Sequence, residues 1–241
     1  MNSPEVKLGL NRTGAQMSPE DTERMVEATR LFPADVPGDV AQLSEERQEA
    51  VLDADLVGSV PIPGSVKGMI KSSIDKLRGK NPEVLIDKLG ERLAFERTGV
   101  RLYEAMLVKA STAPGGDPEL ADTLRKIQQD EHAHMLKVRD AIETLGADPT
   151  AMTPCADVVG VKSLGVLQVL TDPRTSVSQC LNAILTIELE DNDAWEMLIE
   201  LTREAGHPNI ASSFEQALEQ EAEHLATIRA LVRTNLTDQI D

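Results

Sequence analysis

The chain has 241 residues, of which 41% are hydrophobic; its only aromatic residues are three Phe, one Trp and one Tyr, and its formal net charge is −17. This length permits one substantial core with an appended segment, and the aliphatic composition favours a helical interior. The negative charge argues against general nucleic-acid binding, which requires clustered Lys and Arg.

The sequence offers no targeting signal that we recognise. The first seven residues, Met-Asn-Ser-Pro-Glu-Val-Lys, lack the apolar run of a signal peptide. No 18-residue apolar stretch suggests a membrane span. Cys155 and Cys180 are too few for a disulfide framework or a zinc site, and we expect ordinary packing thiols. We therefore predict a cytoplasmic protein with reduced cysteines.

Residues 1–60 are predicted to form a helical N-terminal extension. A short helix is expected from about Pro19 to Leu31, and a second helical stretch near residues 45–52. Pro37 and Gly38 interrupt the chain between them. This part of the chain is expected to be separate from the main core.

Residues 61–84 are predicted to be an amphipathic docking segment. After the break at Val60-Pro-Ile-Pro-Gly64, residues 66–77 place their apolar side chains near one helical face and also carry Lys67, Lys71 and Lys76. This basic island is compatible with an anionic partner or a lipid surface. A helix that docks on the rest of the protein and turns a charged face to solvent is the favoured interpretation.

Four long helices are predicted in the remainder of the chain. Their approximate bounds are 82–109, 117–145, 177–205 and 209–234. The first and second pairs are joined by short segments rich in Gly and Pro, which force antiparallel neighbours. The connection between the pairs is about 30 residues long, includes the apolar segment 158–170, and can travel the whole bundle. We thus expect an all-α four-helix bundle over 85–236, built from two antiparallel pairs with one long crossover.

Two of these helices carry a Glu-x-x-His pattern on their apolar stripes, Glu131 with His134 and Glu221 with His224. Residues three apart share a helical face, so each pair directs a carboxylate and an imidazole the same way. The helix before each has one glutamate on its stripe, Glu96 in the first pair and Glu188 in the second. The spacing from Glu96 to Glu131 is 35 residues and that from Glu188 to Glu221 is 33 residues, so the two halves repeat one another.

Helical projection separates these residues from other Glu and His residues on the same helices. Glu190 points to the less apolar side of its helix, and His132 lies about 100° from Glu131. The third Glu-x-x-His match, Glu204 with His207, is rejected because the helix should end before Gly206 and Pro208.

Four buried carboxylates would cost many kcal/mol unless they are neutralised. Two divalent ions supply the four positive charges that cancel them. The sequence therefore predicts a site for two metal ions with the ligands Glu96, Glu131, His134, Glu188, Glu221 and His224. A structural role for these residues without metal is the alternative.

The segments Ala94-Phe-Glu96, Asp130-Glu-His-Ala-His134, Thr186-Ile-Glu-Leu-Glu190 and Glu221-Ala-Glu-His224 resemble the ferritin-like di-iron carboxylate superfamily, which includes ferritins, bacterioferritins and rubrerythrins. The resemblance covers about residues 85–235. It implies that Glu131 and Glu221 bridge the metals, whereas the other four ligands are terminal. The N-terminal extension and long crossover argue against a cage of 24 subunits and leave a homodimer open.

The resemblance implies two iron ions, with manganese as the alternative metal, in a centre that reacts with dioxygen or peroxide as a ferroxidase, peroxidase or oxidase. Two isolated cysteines cannot form a rubredoxin-type centre, so redox cycling would need an external electron donor. The alternatives are an iron-handling protein without significant turnover and a structural bundle that binds a partner.

Three residues near the ligands have candidate roles. Tyr103 is a candidate catalytic residue, as an electron or hydrogen-bond donor near the metals, and core filling is its alternative role. Asp191 and Asn192 are candidates for hydrogen bonds to the ligands, with simple solvation as the alternative.

Overall fold

The computed structural model describes residues 19–36, 38–62, 81–112 and 117–240. All regular structure within these ranges is helical, and the chain divides into two compact units, Met1–Asp55 and Leu56–Asp241. This confirms the all-α class that the sequence predicts. Most of the amphipathic segment at 61–84, namely residues 63–80, lies outside the described residues.

In the N-terminal unit, residues 19–36 and 38–55 form two helices, α1 (Pro19–Leu31) and α2 (Val40–Asp53). Asp39 caps α2 by accepting a hydrogen bond from the backbone N–H of Ala41. Neither helix contains a buried residue. The second helix begins several residues before the predicted stretch at 45–52.

The described residues of the second unit form five helices: α3 (Pro82–Thr112), α4 (Pro118–Leu145), α5 (Pro154–Thr171), α6 (Val177–Glu204) and α7 (Pro208–Thr237). Four of them match the predicted long helices to within three residues at each end. α4 begins at a proline behind the N-cap Asp117, and Gly146 ends it in the left-handed conformation, with φ 85°. A capping box formed by Ser176 and Gln179 opens α6.

The long helices form two pairs, α3 with α4 and α6 with α7, and contacts of α3 with α6 and of α4 with α7 close the bundle. Two apolar clusters fill it. One contains Leu102, Leu124, Ile184 and Ile228, and the other contains Leu89, Val138, Trp195 and Phe214. α3 and α7 run from the second cluster to the first, whereas α4 and α6 run from the first to the second. The pairs are therefore antiparallel internally and α6 is parallel to α4, which confirms the ferritin-like topology.

The crossover carries α5, which packs along α3. Gly90 on α3 permits this approach, because a Cβ there would lie 2.4 Å from Oγ1 of Thr153, the N-cap residue of α5. By length and composition α5 could cross a membrane, with a mean hydropathy of 1.2 and 22% of its residues buried. The expectation that no 18-residue stretch is apolar enough for a membrane span is therefore wrong. In the structure Val159 and Leu170 of α5 belong to the bundle core.

Candidate metal centre

The six predicted ligands are all buried in a polar layer between the two apolar clusters, and they are at most 4% exposed. Among the described residues, three combinations could each hold an ion, with ligand atoms within 4.8 Å of one another: Glu96, His134 and Glu221; Glu131, Glu221 and His224; and Glu96, Glu131, Asp191 and Glu221. Glu188 belongs to none of these combinations, whereas Asp191, which was not predicted as a ligand, belongs to one. Glu221 is common to all three, so it occupies the middle of the cluster.

Glu221 contacts both imidazoles. Its Oε1 lies 2.6 Å from Nδ1 of His134, and its Oε2 lies 3.1 Å from Nδ1 of His224. Nδ1 of His134 is also 3.9 Å from Glu96, and Nδ1 of His224 is 3.8 Å from Glu131. Both rings thus turn the same nitrogen towards the carboxylates.

The opposite ring nitrogens are held by two polar side chains that the sequence analysis missed. Nε2 of His134 lies 3.2 Å from Oε1 of Gln220, and Nε2 of His224 lies 3.2 Å from Oδ2 of Asp130. Nε2 of Gln220 donates to Oδ1 of Asp130 over 3.0 Å, which links the two contacts. The internal repeat contained the signal, because Asp130 and Gln220 each precede the glutamate of a Glu-x-x-His pattern.

Glu131 fits into the cluster because Gly99 lacks a side chain. A Cβ at Gly99 would lie 2.2 Å from Oε2 of Glu131 and 3.1 Å from its Cδ. Among the described residues, Oε2 of Glu131 and Oε2 of Glu188 are buried without a hydrogen-bond partner. Unsatisfied carboxylate oxygens are costly in an apolar interior, and a cation would satisfy them.

Arg92 and Asp191 add a buried ion pair that the sequence analysis did not predict. Arg92 is 3% exposed, and its Nη1 lies 2.6 Å from Oδ1 of Asp191. Its Nε lies 3.0 Å from Oε1 of Glu96, and the guanidinium stacks 4.2 Å above the ring of Phe95. The alternative prediction that Asp191 is simply solvated is wrong, because the residue is fully buried.

Tyr103 lies beside the cluster, and its role as a near-site donor stays a prediction. It is fully buried, and its hydroxyl donates a short hydrogen bond to Oε1 of Glu188. Trp195, its counterpart in the second half, packs edge-on against His134 with 5.7 Å between ring centroids. Asn192 donates to the backbone carbonyls of Glu188 and Glu221, so it ties α6 to α7 rather than contacting a ligand side chain.

The rejected residues lie outside the cluster. Glu190 forms an ion pair with Lys162 of α5, and His132 is exposed. Glu204 is exposed at the end of α6, and His207 is the N-cap residue of α7. Helical projection therefore separated buried from peripheral acidic residues correctly in this region.

The pKa values of the buried carboxyl groups are shifted in different directions. Burial raises the pKa of Glu96 and of Glu188 to about 7, and burial together with the neighbouring Glu221 and Glu96 raises the pKa of Glu131. Burial also disfavours the charged form of Glu221, but hydrogen bonds from both histidines outweigh it and lower the pKa to about 2. Although burial opposes its charge, His224 has its pKa raised to about 9 by Glu221.

Asp191 experiences two opposing influences. Burial acts to raise its pKa, whereas Arg92 acts to lower it. A carboxylate 2.6 Å from a permanently charged guanidinium is the ionised partner of an ion pair. Arg92 and Asp191 therefore neutralise one another, and the four glutamates still require four positive charges.

The cluster fits a pair of divalent ions in three respects. Its charge requirement equals that of two such ions, and its oxygen and nitrogen donors suit iron or manganese. The Nε2 contacts leave both Nδ1 atoms directed at the carboxylates, as metal-ligating imidazoles are usually oriented by a second hydrogen bond. Among the described residues, Oε2 of Glu131 and Oε2 of Glu188 are buried without a hydrogen-bond partner, and a bound cation would satisfy them.

The comparison with protein families agrees with this architecture. The family described as "Ferritin: Ferritin-like domain" matches residues 86–236. One similar solved structure is the "Crystal structure of ferritin like, diiron-carboxylate proteins from Bacillus anthracis str. Ames", at 22% sequence identity and a TM-score of 0.49. That similarity covers 61% of this chain and 94% of the other. No curated protein matches the chain.

Removing Arg92 should destabilise the metal-free protein. In Arg92→Gln, Asp191 and Glu96 lose their buried cation, and we expect a loss of about 3–5 kcal/mol in the free energy of unfolding. Arg203→Gln is the matched control, because Arg203 pairs with Glu215 where both side chains are about half exposed. It should cost less than about 1 kcal/mol. Equal losses in urea denaturation of the two apo variants would contradict the buried ion pair.

The stability of the metal-free protein should fall as pH rises between about 5 and 8. Glu96 and Glu188, with pKa values raised from 4.5 to about 7, bind more protons folded than unfolded across this range. Their contribution is fully present below 4.5 and is lost as pH rises through about 7. His224, raised from 6.5 to about 9, acts in the same direction above pH 6.5. The stability that Glu221 contributes is lost only as pH falls from 4.5 towards 2, outside this window.

Melting temperatures of EDTA-treated protein test this dependence. Glu188→Gln should flatten the fall, whereas Glu190→Gln, on the same helix but outside the cluster, should retain it. Added metal should reverse the trend, because the ligands must be deprotonated to bind. An apo protein that becomes more stable through this range would exclude a shared buried cluster of protonatable carboxylates.

Proposed function

The chain belongs to the ferritin-like family, and we propose that it is a di-iron carboxylate protein that reacts with dioxygen or peroxide, as a ferroxidase, peroxidase or oxidase. The single observation that carries this proposal is the position of Glu221, whose two carboxylate oxygens face the Nδ1 atoms of His134 and His224 separately. A carboxylate shared in this way is suited to bridging two ions. Glu131 lies in the same cluster and is proposed as the second bridge.

The remaining ligands would divide between two metal positions. We define the first position by Glu96 and His134, and the second by Glu188 and His224. Each ion would take one oxygen and one nitrogen ligand from its own pair of residues and would share the two proposed bridges. Six protein ligands leave room at two ions for a small oxidant.

Two ferrous ions would supply the two electrons that, with two protons, reduce hydrogen peroxide to two water molecules, and an external donor would then return two electrons. The chain's own residues would prepare the site for this chemistry. The apolar clusters on both sides exclude bulk water from the polar layer. Tyr103 fixes Oε1 of Glu188 by donating a hydrogen bond from its hydroxyl group. Tyr103 is thus proposed as a positioning residue for a terminal ligand.

Iron stoichiometry provides the first test. We expect two ions per chain after anaerobic loading, and loss of the pair in Glu131→Ala and Glu221→Ala, because each removes a proposed bridge. Glu204→Ala and His207→Ala form the matched control, since that Glu-x-x-His pair lies outside the cluster. Elemental analysis and iron titration measure both. Equal losses from the two sets of variants would contradict the assignment.

Turnover provides the second test. Iron-loaded protein should consume peroxide or dioxygen repeatedly when a reductant is supplied, and Glu221→Ala should abolish that consumption. A single oxidation of bound iron with no further turnover would instead indicate an iron-handling protein. Absence of bound iron in the correctly folded protein would leave a structural bundle and would overturn the proposal.

A further inference from the structure

We propose that the two metal positions are chemically unequal, and that the second position, at Glu188 and His224, binds a divalent ion more tightly than the first. This inference rests on the proposed function, because it concerns the same two ions. It depends on residues behind the ligands rather than on the ligands, which are the same in both halves.

The hydrogen-bond network fixes the orientation of Gln220. Its Nε2 donates to the Asp130 carboxylate, which can only accept when ionised, so its Oε1 is the atom that faces His134. The reverse orientation would place oxygen against oxygen. Nε2 of His134 must therefore donate to Gln220, and Nε2 of His224 must donate to Asp130. Each ring consequently offers its Nδ1 lone pair to the centre when a metal binds.

The two imidazoles differ in the charge of their acceptors. His224 donates to a carboxylate, whereas His134 donates to a neutral amide. A carboxylate acceptor makes the imidazole a stronger electron donor to a metal, and such partners change metal affinity by roughly 10–100-fold. This difference favours the second position.

The surroundings of the terminal glutamates point the same way. Oε1 of Glu96 lies 3.0 Å from the Arg92 guanidinium, which competes with a metal for that oxygen. Oε1 of Glu188 instead accepts a hydrogen bond from the neutral hydroxyl of Tyr103. Since Arg92 and Asp191 neutralise each other, the first position has the net charge of Glu96 alone. The second has that of Glu188 together with Asp130 behind its histidine.

The difference between the two metal positions depends on the side chains at two equivalent residues, 130 and 220. Asp130 precedes Glu131 on α4 as Gln220 precedes Glu221 on α7. Exchanging their charges in Asp130→Asn/Gln220→Glu retains the complete network. Residue 130 would then donate its amide to residue 220 and accept from His224, while the new carboxylate would accept from His134. The double variant thus moves one charge between the two histidines and changes little else.

Titration of the metal-free protein with Co²⁺ alone, followed by visible absorption and calorimetry, tests the proposal. Wild-type protein should bind two ions in two steps at least about tenfold apart. His224→Ala should lose the tighter step and His134→Ala the weaker one. Asp130→Asn should weaken the tighter step by about tenfold or more. Glu223→Gln is the control. Glu223 lies on the turn of α7 that carries Gln220 and His224, but its side chain is exposed and does not contact a histidine, so this variant removes only a surface charge.

The charge-exchange variant, Asp130→Asn/Gln220→Glu, tests whether the charge behind the histidine sets the order of binding. The tighter step should now depend on His134, so that His134→Ala in this background removes it. An unchanged order of binding in the charge-exchange variant would overturn the inference. Two equal Co²⁺ sites in the wild type would overturn it while leaving the proposed function intact. Failure of folded wild-type protein to bind Co²⁺ at all would count against both.

Discussion

The burial of five carboxylates in one layer of an apolar bundle is the constraint on which the rest of this structure depends. Glu96, Glu131, Glu188, Asp191 and Glu221 are all 0–1% exposed. Such a layer is stable only with matching positive charge. Among the described residues, the layer contains one permanent cation, Arg92. With both imidazoles neutral, as metal ligands must be, the remaining deficit of four charges equals that of two divalent ions. The constraint that limits stability therefore also favours a metal site.

The layer was predictable where helical periodicity alone determined burial. The position of Glu188 on its apolar stripe separated it from Glu190. Glu131 and Glu221 were separated from Glu204 by their central positions together with the predicted helix end before Gly206. The contributions of Arg92 and Asp130 were not predictable in this way, because they depend on contacts between helices. A projection around one helix does not reveal which side chain on another helix it will meet. The N-terminal helices were anticipated from propensity and Pro–Gly breaks, which act locally.

The internal repeat explains both the symmetry of the centre and its departures from symmetry. Glu96 and Glu188 are equivalent, but the residues three positions later are Gly99 and Asp191. Gly99 leaves space for the Glu131 carboxylate, whereas Asp191 fills its space and requires Arg92 as a cation. Ile184, buried in the core, stands at the position equivalent to Arg92. The two halves thus retain the same ligands while their supporting residues have diverged.

A crystal structure of the iron-loaded protein with anomalous scattering data tests the central claim most directly, because it locates the ions themselves. The account predicts two anomalous peaks about 3.5–4 Å apart, both in contact with Glu131 and Glu221. One peak should lie beside His134 and the other beside His224. A single peak in the polar layer of a fully loaded crystal, or iron bound only at surface carboxylates, would contradict the claim that this bundle is built around a pair of metal ions.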